Sequence, residues 1–210
     1  MKGILFIGGE APDYNIIKNE LLDAELIIAA DSGFDTALKM GIKPDIIIGD
    51  MDSISNKEKI LQYPPEKVLI FPKDKDETDT ELAIKYLKDV NINEIIIIGG
   101  GGGRMDHFLA IVLLFDREFS PDIWYTNSTR FQKITGSINI SLKKDILVSF
   151  FPTGKGVCRM KSKGLKWPLD GLVWSRGDMG ISNIVTQDPF SIDMIEGRLI
   201  MMNQIKDLYY

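Results

Sequence analysis

An alternation governs what the first 127 residues can fold into. Apolar runs at residues 4–7, 26–30, 46–48, 68–71 and 95–98 are separated by stretches such as 14–24, 34–40 and 82–87. In these stretches the apolar residues recur at helical spacing. A run such as Ile46, Ile47, Ile48 has no polar face, so each run reads as a strand covered on both sides. Strands alternating with helices give a parallel sheet, in which every strand ends at the same edge. Loops far apart in sequence therefore meet there, and ligands bind at that edge in such sheets.

After about Asn127 the texture changes. Helical periodicity fades and short β-rich runs follow, at 131–135, 138–142, 146–151, 156–160, 172–174, 180–185, 190–195 and 198–203, with turn signals between them. Strands at that spacing suggest a small sandwich or barrel. The expected architecture is α/β. A Rossmann-like parallel domain covers residues 1–127 and a smaller C-terminal β-sandwich covers 128–210.

The strand-end loops carry the acids: Asp31, then Asp50 and Asp52 in Gly49-Asp50-Met51-Asp52-Ser53, then Asp76 and Asp79. Crowded carboxylates repel, and one would be driven to protonate without a cation among them. Hard oxygen donors suit Mg²⁺, which uses one or two carboxylates, water and substrate phosphates. Each cluster also has a local reading. Thr78 to Glu81 fits a capping box, Asp31 could cap the next helix, and Asp50 to Ser53 could be an Asx-type turn. Taken together, acidic loops on one edge favour a metal–phosphate site.

Five glycines at 99–103 lie between a strand and a helix, where backbone N–H groups can cradle an anion. The run lacks the Gly-Lys-Ser/Thr of a Walker A loop. Arg104 beside Gly102 and Gly103 suits bidentate phosphate contact. Asp106 could cap the helix that follows. His107 is the sole histidine, which excludes a multi-histidine metal site.

A net charge of -5 argues against a nucleic-acid partner. Cys158 is the only cysteine, so there is neither an intrachain disulfide nor a cysteine-based zinc cluster. No apolar run reaches membrane-spanning length, and residues 1–7 are too short for a signal-peptide core. A cytoplasmic protein is expected.

These motifs, in this order, resemble the thiamine pyrophosphokinase family over essentially the whole chain. The matching stretches are Asp31-Ser32-Gly33, Lys43-Pro44-Asp45, the loop from Gly49 to Ser53, and the run from Asp74 to Glu81. Gly102-Gly103-Arg104-Met105-Asp106-His107, Gly164-Leu165-Lys166-Trp167-Pro168-Leu169 and Ser182-Asn183 complete the set. The resemblance implies transfer of the pyrophosphoryl group of ATP to the hydroxyl of thiamine, giving thiamine diphosphate and AMP. It implies Mg²⁺, and a homodimer whose sites lie where one subunit's α/β domain meets the other's β domain. It also implies that Asp50, Asp52 and Asp79 bind the metal, with Asp31 and Asp76 in support. Thr78, Gly102, Gly103, Arg104, Asp106 and His107 fall on the nucleotide side, and Trp167, Ser182 and Asn183 on the thiamine side. Asp31 or Asp79 would take the hydroxyl proton, and Trp167 could stack on the thiamine cation. Trp124 and Trp174 read as packing.

The chain departs from the family at Ser32, where glycine is usual, and at Phe34-Asp35, where small or amide residues are common. A left-handed Ser32 would carry a small strain, and the bulk of Phe34 could reshape the nearby pocket. Three rival functions use the same residues: a diphosphokinase for a hydroxymethyl pterin, a phosphatase with Asp50 as nucleophile, and a non-catalytic thiamine or nucleotide sensor. Residues 164–169 and Ser182-Asn183 favour thiamine over the pterin. The phosphatase leaves the β-rich half without a role, and intact Asp50, Asp52, Asp79 and Arg104 argue against a sensor.

Overall fold

The computed structural model describes residues 1–208 and is mixed α/β. It divides into two compact units, Met1–Leu109 with Trp124–Asn127, and Ala110–Ile123 with the chain from Ser128 onward.

The first unit is built on β1 (Lys2–Phe6), β2 (Leu26–Ala30), β3 (Ile46–Gly49), β4 (Val68–Ile70), β5 (Glu94–Ile98) and β6 (Ile123–Tyr125), in the order β6-β5-β1-β2-β3-β4. Strand β1 pairs in parallel with β2 and β5, β2 with β3, and β3 with β4. Chain order runs outward from β1 through β2, β3 and β4, then resumes at β5 on the other side of β1. That reversal is the topological switch point of this sheet. Ile4, Leu5, Phe6, Ile28, Ile47, Ile96 and Ile97 are fully buried, as the absence of a polar face predicts.

The helices α1 (Tyr14–Leu22), α2 (Gly33–Lys39) and α4 (Asp79–Asp89) follow the expected periodicity. A short helix, α3 (Lys57–Ile60), and a 3₁₀ turn at Pro65–Lys67 occupy a stretch that reads from sequence only as polar. Neither buries a residue, so no apolar period marks them.

Two antiparallel sheets make up the second unit. One joins β7 (Thr129–Ile134), β14 (Arg198–Gln204), β9 (Leu147–Thr153) and β12 (Gly180–Ile184) in the order β12-β9-β14-β7. The other joins β8 (Ser137–Ile140), β13 (Phe190–Glu196), β10 (Val157–Lys163) and β11 (Val173–Ser175) in the order β11-β10-β13-β8. Phe150, Leu199 and Met201 of the first sheet share a core with Met160, Phe190 and Ile192 of the second. Buried Cys158 donates its thiol hydrogen to the Arg198 carbonyl oxygen at 3.0 Å. Among the described residues, no helix is long and apolar enough to cross a membrane.

Candidate active site

Asp31 follows β2, Asp50 follows β3, and Asp79 opens α4 beyond β4. Because β2, β3 and β4 are parallel neighbours, these three residues reach one edge. Each offers a carboxylate oxygen within 4.8 Å of the others. Gly49 is what lets them close in. A Cβ there would sit 3.3 Å from Asp31 Cβ and 3.3 Å from Asp79 Cγ, and its φ of +147° belongs to glycine. Asp31 (φ 47°) and Met51 (φ 63°) also adopt left-handed backbone, which turns the chain sharply off β2 and β3.

The local readings of these acids separate here. Asp50 Oδ1 does accept the Asp52 N–H at 2.9 Å, an Asx turn. Thr78 does form the capping box, accepting from the Glu81 N–H while Glu81 Oε2 accepts from the Thr78 N–H. Asp31 is not a cap. The residue before α2 is Ser32, at φ -60°, and no side chain caps that helix. The strain expected at Ser32 therefore belongs to Asp31. Phe34 is fully buried edge-on against Tyr63 at 5.7 Å, so its bulk enters the core rather than the pocket.

Asp31 Oδ1 and Asp79 Oδ1 are buried and accept no hydrogen bond. Lys75 Nζ, 3.1 Å from Asp79 Oδ1, is placed as an ion pair without hydrogen-bond alignment. Burial pushes the Asp79 carboxyl above its ordinary range. Lys75 opposes that shift, and the charges of Asp31 and Asp50 add to it. An unpaired Asp31 Oδ1, and an Asp79 Oδ1 held only by the Lys75 ammonium, crowded among like charges, fit a divalent cation, whose ligands would be Asp31, Asp50 and Asp79.

Asp52 lies outside this set. It is exposed and pairs with Lys73 at 3.0 Å, and that hydrogen bond and charge hold its carboxyl below the usual range. Asp76 is exposed.

The glycine run sits at the switch point. Glu10 and Gly101 exchange two backbone hydrogen bonds, at 2.8 and 3.0 Å, and Asn127 donates to the Glu10 carboxylate. Gly102 makes room for that carboxylate: a Cβ would lie 2.0 Å from Glu10 Cδ. Residues 102–107 are exposed. Arg104 is bidentate on Asp106, with Nε 3.1 Å from Oδ1 and Nη2 on Oδ2. That hydrogen bond is the main reason the Asp106 carboxyl falls to about 2. His107 lies in the first turn of α5 (Met105–Leu114).

In the second unit, Trp167 is 52% exposed, with Lys166 Nζ 4.8 Å from its ring centroid. Buried Asn183 brackets it. Its Oδ1 accepts the Trp167 N–H at 3.1 Å and its Nδ2 donates to the Trp167 carbonyl at 2.7 Å. Asn183 thus positions Trp167 through the backbone. Ser182 is exposed and left-handed (φ 58°), and its N–H donates to Ser149 Oγ. Trp124 is fully buried and donates to the Gly99 carbonyl at 2.8 Å, and Trp174 packs against the core of its unit.

Three residues beyond the sequence reading belong to these arrangements. Lys75, in the loop before α4, pairs with Asp79, the first residue of that helix. Asp35 accepts from Ser55 N (2.7 Å), Asn56 N (3.3 Å) and Asn56 Nδ2 (2.9 Å), and so ties α2 to the segment after Ser53. Glu10 had no signal, since its partners are distant in sequence.

A family model described as "Thiamin pyrophosphokinase, catalytic domain" matches residues 17–124, and one described as "Thiamin pyrophosphokinase, vitamin B1 binding domain" matches residues 136–199. The chain is 28% identical over 184 residues to thiamine pyrophosphokinase of Bacillus subtilis (strain 168), covering 84% of this chain and 86% of that one. The crystal structure of thiamine pyrophosphokinase from Bacillus subtilis matches with a TM-score of 0.79 at 25% identity, over 97% of this chain and 99% of that one. Yeast thiamin pyrophosphokinase, at 15% identity and a TM-score of 0.71 over 99% and 87% of the two chains, shows the same fold.

Proposed function

The chain belongs to the thiamin pyrophosphokinase family and has thiamine pyrophosphokinase activity, and on that premise we propose how its residues divide the reaction. The convergence of Asp31, Asp50 and Asp79 carries the assignment. We read residues 1–127 as a Rossmann-like domain that binds ATP and Mg²⁺, and residues 128–210 as a β-sandwich that binds thiamine. Bound Mg²⁺ would supply charge neutralisation to the polyphosphate.

The remaining work falls to the protein's own groups. Pyrophosphoryl transfer asks mainly for positioning and electrostatic stabilisation. The thiamine hydroxyl oxygen forms a bond to the β-phosphorus of ATP as the bond to the α-phosphate oxygen breaks, releasing AMP. The hydroxyl proton passes to Asp31 or Asp79. Arg104, steadied by Asp106, faces the phosphates with Gly102, Gly103, Thr78, Asp76 and His107 around them. Asp52, on the rim with Lys73, completes the acidic loop. Trp167 stacks on the thiamine cation, beside Ser182 and Asn183.

Met105 (68% exposed), Leu109 (53%) and Leu113 (50%) form an apolar stripe along α5, which supports a homodimer. The absence of a membrane-crossing helix among the described residues is compatible with a cytoplasmic enzyme.

Purified protein supplied with ATP, Mg²⁺ and thiamine should form thiamine diphosphate and AMP in equal amounts. ADP release, or turnover of a pterin alcohol in place of thiamine, would reject this reading. Asp50→Asn should lose turnover by at least a hundredfold while its circular dichroism stays that of the parent. Retained activity would leave Asp50 only its Asx turn.

A further inference from the structure

One largely covered cation at the acidic cluster has no part in the reaction as described. Lys75 lies in the loop before α4, with its side chain only 13% exposed. Lysine is rarely buried, because burial removes its ammonium from water and freezes a flexible stem. Its neighbour Lys73 behaves in the usual way, 76% exposed and paired with exposed Asp52. Lys75 instead points inward, 3.1 Å from Asp79 Oδ1, and donates to the Pro72 carbonyl oxygen at 3.0 Å. Among the described residues it is the one cation in ion-pair distance of Asp31, Asp50 or Asp79.

Two consequences follow. The pair to Oδ1 fixes how the Asp79 carboxylate is turned. It also changes the charge of the cluster: three ionised carboxylates carry -3, and one ammonium brings the sum to -2. One divalent cation then takes the cluster to neutrality, and further positive charge gains nothing from the site alone.

We propose that Lys75 is a positioning residue of this site, one that orients Asp79 and sets the cluster's charge at -2, so that the nucleotide-free protein holds a single divalent cation loosely. The proposal rests on the reading of Asp31, Asp50 and Asp79 as cation ligands. A resident ammonium repels an incoming divalent ion. Even at the dielectric constant of water, a unit charge a few ångströms away changes that ion's affinity on the order of tenfold. Lys75 thus trades metal affinity for compatibility with phosphate anions. A site at -3 would grip its cation more tightly and repel a polyphosphate more strongly.

The test is a Mn²⁺ titration of nucleotide-free, full-length protein, following free Mn²⁺ by electron paramagnetic resonance. Wild type should bind one Mn²⁺, and Asp50→Asn should abolish that binding. Lys75→Gln and Lys75→Met should bind Mn²⁺ about tenfold more tightly, and Lys75→Arg should match wild type. In turnover assays the Gln variant should show a raised KM for ATP with an unchanged KM for thiamine. If Lys75 merely pins the loop to Pro72, both neutral variants bind Mn²⁺ equally or more weakly, and the proposal is overturned. Should Lys75→Met not fold, Lys75→Gln, which keeps an N–H donor for Pro72, decides the matter alone. Mn²⁺ binding that is absent in wild type, or indifferent to Asp50→Asn, would overturn the metal reading as well. Binding that depends on Asp50 but not on Lys75 overturns this proposal only.

Discussion

Asp35→Asn probes the join between two of the acidic loops. The Asp35 carboxylate is buried on α2, and its three hydrogen bonds run to Ser55 and Asn56, just beyond Asp50 and Asp52. Hydrogen bonds to a charged acceptor are worth about 1.5–3 kcal/mol each, and neutral ones about 0.5–1.5. An amide keeps one acceptor oxygen but sets an N–H₂ group against at least one N–H donor. The variant also escapes the desolvation of a buried charge, which offsets part of that loss. The balance is a destabilisation of about 2 kcal/mol, which for a chain of this size lowers Tm by roughly 4–8 °C.

The pH dependence of Asp35 adds a second signature. Burial alone would raise the Asp35 carboxyl, but the bonds from Ser55 and Asn56 outweigh it and leave the group below its ordinary value. A depressed carboxyl contributes stability that is present above the unfolded value, near ~3.9, and is lost as pH falls through the folded value. The gap between wild type and variant should therefore hold from pH 7 down to about pH 5 and close below it. Thermal melts by circular dichroism across that range would measure it. A Tm change under about 1 °C at pH 7, or a gap that persists at the acid end, would refute the account of Asp35 as a charged tether.

Two further substitutions separate packing from binding. Gly49→Ala places a methyl between Asp31 and Asp79 on a backbone suited to glycine, so stability should fall by about 1–3 kcal/mol. Mn²⁺ affinity should fall with it, and an alanine variant with unchanged Mn²⁺ affinity would contradict the wedge. Trp167→Ala should raise KM for thiamine by about 2- to 30-fold, the range of a cation–π contact, and leave KM for ATP unchanged. Equal shifts in both would point to a general loss of fold.

Much of the strand content was legible because burial leaves a chemical trace. Residues 46–48 are all isoleucine because both faces of β3 are covered, and β-rich spacing after residue 127 marks the antiparallel sheets. The acidic edge was legible for the same reason: parallel strands must end together. Which acids meet was not. Asp50 and Asp52 are one residue apart, yet the left-handed turn at Met51 sends Asp50 into the cluster and Asp52 to Lys73. Asp31 reads as a helix cap, and only the αR backbone of Ser32 shows otherwise. Helix α3, with no buried face, left no period to find. Lys75 and Lys73 look alike in sequence, because inward or outward direction is settled by a loop conformation that no period reports.

The acidic edge makes little sense as a source of stability. Asp31 and Met51 hold left-handed backbone that residues with a Cβ adopt at some expense in energy. Buried Asp31 Oδ1 has no partner, Asp79 Oδ1 has only the Lys75 ammonium, and three like charges crowd within 4.8 Å. Capping accounts for Thr78 and an Asx turn for one oxygen of Asp50, but no local motif uses Asp31 Oδ1. A fold selected only to persist would replace these carboxylates with amides or apolar groups. A cation in the cluster would make these terms favourable together, since one ion would satisfy the unpaired oxygen and cancel the repulsion. Strain at the ends of β2 and β3, an unpaired acceptor, and a lysine drawn inward are then parts of one arrangement. On the proposed reading it is unfavourable in the free protein and would be relieved when a divalent cation and the nucleotide bind.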